Sequence, residues 1–186
     1  MQSMTVNDYK ILRDNQCSLQ ETSKDSSDKT GKICYMTLCR KTVVDFDRVK
    51  DVFLNGLGET NEKAKSVDAL VIDNKIYLIE FKNGNARTEK QNIVLKAKDS
   101  ITILNSILNQ QVEFSRKNCI FILVYNKEKI ELSSKEEIAK RLAIKGKSDY
   151  TLFDLNKMQG FNFERVLTLD QEQFEDMIVD ELGWGR

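Results

Sequence analysis

The chain has 186 residues, with 29 lysines and arginines against 29 aspartates and glutamates, and it contains neither histidine nor proline. The lack of histidine excludes Ser-His-Asp and Cys-His catalysis, histidine-ligated zinc or haem, and an imidazole base near neutral pH. Acid–base or metal chemistry must therefore come from carboxylates, lysine, cysteine or tyrosine. The length fits one domain with a sizeable core, and the balanced charge provides no overall attraction for nucleic acid.

The four cysteines are widely spaced and form no CxxC pair, which is typical of free thiols in a reducing compartment. The first ten residues contain no apolar signal core. The longest apolar run, at residues 119–125, is too short to cross a membrane. We therefore expect a cytoplasmic protein without membrane association.

In chain order, residues 1–44 form an N-terminal extension, with an exposed loop predicted at 20–32 and a short strand at 33–38. Apolar residues at helical spacing then predict a helix over about 46–57, capped by Asp45 and ended by glycines. Two β-rich runs, 67–72 and 76–81, flank the turn sequence Asp73-Asn74-Lys75 and predict a hairpin.

A second helix is predicted from a capping box at residues 88–91 to about residue 109. The apolar run at 119–125 indicates a strand that is covered on both faces. Further helices are predicted over about 134–144 and 170–183, with weaker strands at 150–155 and 164–169. We therefore expect an α/β fold with a mixed central β-sheet flanked by helices. It forms one domain over residues 1–186, with a core at 45–125 and C-terminal αβ elements at 126–186.

The predicted hairpin carries two carboxylates, and the turn decides how they are arranged. With a three-residue loop, Asp68 lies opposite Glu80, and Lys82 projects from the same sheet face because side chains alternate along a strand. A two-residue turn would place Asp68 and Glu80 on opposite faces. In the first register, two carboxylates converge among apolar neighbours. Burying their charge is costly unless a cation is present, and oxygen ligands suit Mg²⁺ (or Mn²⁺).

Asp68, followed by Glu80-Phe81-Lys82 at the end of the next strand, resembles the PD-(D/E)XK nuclease superfamily, whose restriction-endonuclease-like core has the order αβββαβ. The resemblance covers residues 45–125, although Val67 stands where the family has proline. The segment 153–178 is similar to the ends of bacterial proteins of this kind. The resemblance implies that Asp68, Glu80 and the backbone carbonyl of Phe81 bind the metal. It also implies that Lys82 orients or activates the attacking water.

Many members of the superfamily add a glutamate from the first helix, and Asp47, Asp51 and Glu59 are all candidates for this role here. The segment after Glu80 bears on the substrate, because residues 82–98 hold five basic side chains against one acid. Such cations could hold phosphates, although a solvated helix surface explains the same pattern. The residues that we expect to contact nucleic acid are Arg87, Lys90 and Gln91.

The function that the resemblance implies is metal-dependent hydrolysis of phosphodiester bonds in DNA or RNA. The alternative is a non-catalytic binding or immunity-type protein on the same scaffold, because a fold does not fix a function. Residues 164–186 carry seven acids against two bases. This acidic segment favours a protein partner for the alternative function.

Overall fold

The structure is a computed structural model that describes residues 4–25, 33–130, 132–145 and 151–185. At its centre is a six-stranded sheet in the order β1-β4-β5-β6-β7-β8. The strands are β1 (Gln16–Ser18), β2 (Lys24–Asp25), β3 (Cys34–Tyr35), β4 (Thr42–Asp45), β5 (Ala69–Ile72), β6 (Ile76–Lys82), β7 (Cys119–Tyr125) and β8 (Arg165–Asp170). Neighbours from β1 to β6 are antiparallel, whereas β6, β7 and β8 run parallel. Strands β2 and β3 form a separate antiparallel ribbon.

Helices cover both faces of this sheet, so the predicted α/β fold with a mixed central sheet is confirmed. The helices are α1 (Lys10–Arg13), α2 (Leu19–Thr22), α3 (Phe46–Gly56), α4 (Lys90–Leu108), α5 (Val112–Asn118), α6 (Ser134–Lys145) and α7 (Gln171–Phe174), which continues as a π-helical stretch, Glu175–Asp180. Short 3-10 helices lie at Val6–Asp8, Asn61–Lys63, Lys127–Lys129 and Leu155–Met158. Among the described helices, none is long and apolar enough to cross a membrane.

The β5–β6 hairpin has the three-residue loop that the sequence favours. Ile72 pairs with Ile76, and Leu70 pairs with Leu78. The turn is closed by a hydrogen bond of 2.9 Å from the Asp73 N–H to the Lys75 carbonyl. The same register, continued beyond β5, sets Asp68 opposite Glu80. The two-residue turn is therefore excluded.

Alternation along β5 and β6 divides the core into two layers. One layer joins the sheet to α3 and α4 and includes Leu70, Leu78 and Ile93, all fully or almost fully buried. The other layer joins it to α7 and the π-helical stretch, where the Phe81 ring packs edge-on against Phe174 at 5.7 Å. Burial on both faces explains the unbroken apolar sequence of β7.

Several predicted boundaries differ from the structure. The capping box at 88–91 is wrong, because α4 begins at Lys90 and the Thr88 hydroxyl donates to the Asn85 carbonyl instead. The weak strand at 150–155 is also wrong over its described part, where a turn leads into a 3-10 helix; residue 150 lies outside the described residues. The predicted strand at 33–38 is reduced to the two residues of β3. Of the predicted loop at 20–32, residues 26–32 lie outside the described part, and the remainder belongs to α2 and β2.

The N-terminal extension is part of the central sheet, because β1 pairs with β4 along Gln16–Ser18. Strand β4 itself was not predicted, since Thr42–Asp45 is short and runs directly into α3. The order αβββαβ that the resemblance implies has three strands between its helices. Here only β5 and β6 lie between α3 and α4, and β4, which completes the antiparallel part of the sheet, precedes α3.

Candidate functional site

Two carboxylates and one ammonium meet beneath α4. Glu80 is on β6 and Asp68 immediately precedes β5, and both side chains point into the layer beneath α4. Lys96 comes from the sheet-facing side of α4, next to the fully buried Ala97. The Lys96 Nζ lies 2.7 and 2.9 Å from the two Glu80 carboxylate oxygens and 3.4 Å from the Asp68 Oδ1. Asp68 and Glu80 thus lie close enough to share one cationic group, the Lys96 ammonium, and a shared metal ion remains a prediction.

This cluster is largely withdrawn from solvent. The exposed fraction of the side chain is 2% for Glu80, 16% for Asp68 and 21% for Lys96. Asp68 is also fixed by the backbone, because its Oδ2 accepts a hydrogen bond of 2.6 Å from the Phe81 N–H. The Phe46 N–H donates to the Asp68 carbonyl, which fixes the start of α3 beside the site.

The backbone carbonyl of Phe81 belongs to the same edge of the sheet. The next carbonyl along β6, that of Lys82, accepts from the Asn126 N–H on the β7 side. Because backbone groups alternate along a strand, the Phe81 carbonyl points towards the opposite side, where Asp68 lies. Two carboxylates and one backbone carbonyl are oxygen donors of the kind that a hard divalent cation prefers. These residues therefore fit the predicted Mg²⁺ or Mn²⁺ ion.

Burial makes both carboxylates reluctant to ionise. It raises the pKa of Asp68 to about 6, although Lys96 and the Phe81 N–H oppose the shift. It also raises the pKa of Glu80 well above the usual value, with further repulsion from Asp68. Burial works against the charge of Lys96 as well, but the attraction of Glu80 and Asp68 outweighs it and raises the pKa of Lys96. One ammonium therefore does not fully compensate two buried carboxylates.

The raised pKa of Asp68 predicts a specific pH dependence of stability. A carboxyl group whose pKa is higher in the folded than in the unfolded chain binds more protons when folded, so its contribution to stability falls as the pH rises. For Asp68 the fall should extend from about pH 4 to about pH 6 and amount to about 1–3 kcal/mol. The measurement is urea unfolding across this range for the wild type and Asp68→Asn. A difference between the two proteins that is constant with pH would contradict the assignment.

Lys82 is on the same face of β6 but does not contact the carboxylate pair. Its Nζ lies 3.5 Å from the Glu89 Oε2, and 26% of its side chain is exposed. Lys82 and Asp68 instead line a shared cavity of about 190 Å³ that opens at the carboxyl end of β6. The structure thus places Lys82 at the opening and Lys96 on the carboxylates.

Of the three first-helix candidates, Asp47 is the one whose charge acts on the pair. It raises the pKa of Asp68 and Glu80 after the larger effects of burial, and it accepts a hydrogen bond from the Ser66 hydroxyl. Asp51 and Glu59 pair with Lys50 and Lys63 respectively. Within the described ranges, no three acidic or cysteine side chains converge closely enough to hold a metal ion. The site is thus a two-carboxylate site.

The predicted nucleic-acid contacts lie beside the site but largely engage acids of the C-terminal elements. The Arg87 Nη2 lies 3.0 and 2.9 Å from the two carboxylate oxygens of Glu136. Lys90 forms an ion pair with Asp154, and Gln91 is exposed at the start of α4. Nucleic-acid binding by these three residues remains a prediction.

A larger cavity, of about 730 Å³, lies at the carboxyl ends of β7 and β8. In it, Lys140 donates to the Tyr125 hydroxyl and to the more deeply buried Asp170, both at 2.8 Å. Ligands commonly bind at the carboxyl ends of parallel strands. However, Lys140 and Asp170 form a part-buried ion pair of equal and opposite charge, so this pair needs no ligand to compensate it. The Asp68–Glu80 cluster, with its excess of negative charge, is the stronger candidate.

Lys96 is the residue whose role in the site the sequence analysis missed. A signal was present, because Lys96 stands three residues after the buried Ile93 and four before the buried Ser100. Those spacings put it on the inner face of α4. A lysine at such a position must find a buried anion.

Compared with known proteins, the chain matches no family model, no curated protein and no solved structure.

Proposed function

We propose that this protein is a metal-dependent nuclease of the PD-(D/E)XK kind, which hydrolyses phosphodiester bonds of DNA or RNA with Mg²⁺ or Mn²⁺. The observation that carries the proposal is the convergence of Asp68 and Glu80 on a single cationic position beneath α4. Buried carboxylates seldom share one side of a hairpin unless a cation compensates them.

Charge balance supports a divalent ion. Asp68 and Glu80 carry two negative charges when ionised, Lys96 supplies one positive charge, and Asp47 adds further negative charge nearby. Binding a divalent cation would neutralise this excess and favour the ionised carboxylates. Because the Lys96 ammonium lies against the same oxygens, it competes with such a cation and thereby tunes its affinity.

In this mechanism Asp68, Glu80 and the Phe81 carbonyl would hold the ion, which when bound would supply the Lewis acidity that polarises a phosphate oxygen and acidifies water. Lys82, at the cavity opening, contributes fixed positive charge where negative charge develops on the phosphate, and it orients the attacking water. Glu89 holds the Lys82 ammonium near the opening before substrate arrives. Arg87 and Lys90 exchange their acidic partners, Glu136 and Asp154, for phosphates of the substrate, and Gln91 contacts the substrate beside them.

The second candidate is a non-catalytic interaction protein on the same scaffold. It is favoured by one specific observation, the bidentate contact of Lys96 with Glu80. A lysine can compensate the carboxylate pair without a metal, so that the cluster serves the fold alone. The exposed acids of the described C-terminal residues would then contact a protein partner.

The experiment incubates the protein with Mg²⁺ or Mn²⁺ and a panel of single- and double-stranded DNA and RNA. We expect cleavage that stops when a chelator is added and that is lost in Lys82→Ala and Asp68→Ala. Activity that persists in both variants would refute the site. No cleavage and no metal binding would favour the interaction protein.

We further propose that the protein works in the cytoplasm. All four cysteines are free, and burial raises the pKa of Cys17 to about 11 and that of Cys119 to about 12. Protonated thiols react slowly, which suits residues that serve packing in a reducing compartment.

A further inference from the structure

The N-terminal extension forms one wall of the cavity at the candidate site. On the sheet side, this cavity of about 190 Å³ is lined by Asp68 and Lys82. On the other side it is lined by residues 22–25 together with Met36. The described part of the N-terminal extension therefore lines the space beside the proposed chemistry.

This wall is held in place by the core. Leu19 and Met36 are buried and pack in the same layer as Phe81. The Met36 N–H donates to the Ser23 carbonyl at 3.2 Å, and the Ser23 hydroxyl donates to the Thr37 carbonyl at 3.3 Å. A wall built in this way is preorganised, so little conformational entropy remains to be lost when a ligand binds.

A chain of side-chain hydrogen bonds joins the wall to the ends of β6 and β7. The Asn83 Nδ2 donates to the Asp25 Oδ2 at 2.7 Å, and the Asn126 Nδ2 donates to the Asn83 Oδ1 at 2.8 Å. The Asn126 N–H in turn donates to the Lys82 carbonyl. Asp25 thus positions Asn83, and through it the backbone that carries Lys82.

Two lysines line the cavity on opposite walls. Lys24 is exposed on the N-terminal wall, and Lys82 stands at the end of β6. The carboxylates on these walls have other roles, since Asp25 binds Asn83 and Asp68 belongs to the proposed metal site. Two lysines on either side of a small polar space suit one phosphate group, which carries negative charge and accepts hydrogen bonds.

We propose that the N-terminal wall binds a phosphodiester group of a single nucleic-acid strand, with Lys24 and Lys82 on its two sides. This inference rests on the proposed function and specifies its substrate as single-stranded nucleic acid. The cavity is smaller than the usual range of small-molecule sites, about 300–1,000 Å³. A space of this size suits one phosphate group of one strand, and we expect the wall to keep a duplex from Asp68. Cations placed along one backbone are typical of single-strand binding sites.

The test measures fluorescence anisotropy of a labelled oligonucleotide, single-stranded or annealed to its complement, with a chelator present so that no cleavage occurs. We expect the wild type to prefer the single strand. Lys24→Ala should weaken this binding roughly threefold to tenfold and reduce the slope of log affinity against log salt by about 1. Lys117→Ala is the matched control, because Lys117 is exposed at the opposite, amino-terminal end of β7.

The outcomes separate this inference from the nuclease proposal. If Lys24→Ala binds like the wild type while Lys82→Ala is weakened, the N-terminal wall does not bind phosphate and only this inference is overturned. Equal or tighter binding of the duplex by the wild type overturns it as well. If the wild type binds neither oligonucleotide, both this inference and the nuclease proposal are overturned.

Discussion

Replacement of Lys96 by methionine is expected to lower the free energy of unfolding at pH 7 by about 3–5 kcal/mol, which is the usual cost of leaving buried charge without its partner. Methionine keeps the length and apolar contacts of the lysine stem but removes the ammonium that lies against both Glu80 oxygens. Urea unfolding at pH 7 gives the measurement. The loss should shrink at pH 5, because protonated carboxyl groups no longer need the cation.

Two further variants isolate the electrostatic cause. Lys98→Met, two residues along α4 at an exposed position, should change stability by less than about 0.5 kcal/mol. The double variant Glu80→Gln with Lys96→Met should recover much of the lost stability, because one buried charge is removed together with its partner. If Lys96→Met alone is as stable as the wild type, the ammonium does not compensate the carboxylates.

The same variant also separates the two candidate functions. Without the ammonium, Asp68 and Glu80 are left for a metal ion, so Mg²⁺ should raise the melting temperature of Lys96→Met more than that of the wild type. Mg²⁺ that changes neither melting temperature would identify the cluster as a purely structural ion triad. That result would favour the interaction protein over the nuclease.

Replacement of Asp68 by asparagine is expected to lower metal-dependent cleavage by roughly 100- to 1000-fold, the range seen when one stabilising group at a reacting centre is lost. The amide oxygen can still accept the hydrogen bond from the Phe81 N–H, so the start of β5 should keep its structure. Single-turnover cleavage and Mg²⁺ binding are the two measurements, and both should decline.

Lys82→Ala provides the informative comparison for Asp68→Asn. We expect a fall in rate of the same order with Mg²⁺ affinity retained, because Lys82 does not contact either carboxylate. Asp176→Asn, at an exposed carboxylate of the C-terminal π-helical stretch, serves as a control for the loss of one negative charge. Cleavage by Asp68→Asn at the wild-type rate would show that the carboxylate pair takes no part in the reaction.

The sequence was sufficient to predict those elements whose own residues specify them. The turn sequence Asp73-Asn74-Lys75 predicted a three-residue hairpin loop. That loop length in turn predicted that Asp68 lies opposite Glu80. The apolar run 119–125 predicted β7 with its correct ends, and Asp45 caps α3 as expected. In each case local turn chemistry, capping or burial determines the structure without reference to distant segments.

Features that depend on distant partners escaped prediction. Strand β4 has only four residues and is stabilised by pairing with β1 and β5 on either side. Lys96 was recognised as one of several cations of α4, but its helical phase relative to Ile93 was not used. The wall formed by residues 22–25 depends on tertiary packing of Leu19 and Met36, which no local pattern in that polar segment reveals.

The pairing of β1 with β4 also matters for the solubility of shortened chains. In the full chain, the short β1 covers the backbone of β4, whose Val43 and Val44 are buried. A fragment that begins after Ser18 but keeps β4 would expose this row of N–H and C=O groups together with apolar side chains. An uncovered strand of that kind recruits strands from other molecules, and self-association follows. The three residues Gln16–Ser18 therefore act as a barrier against aggregation.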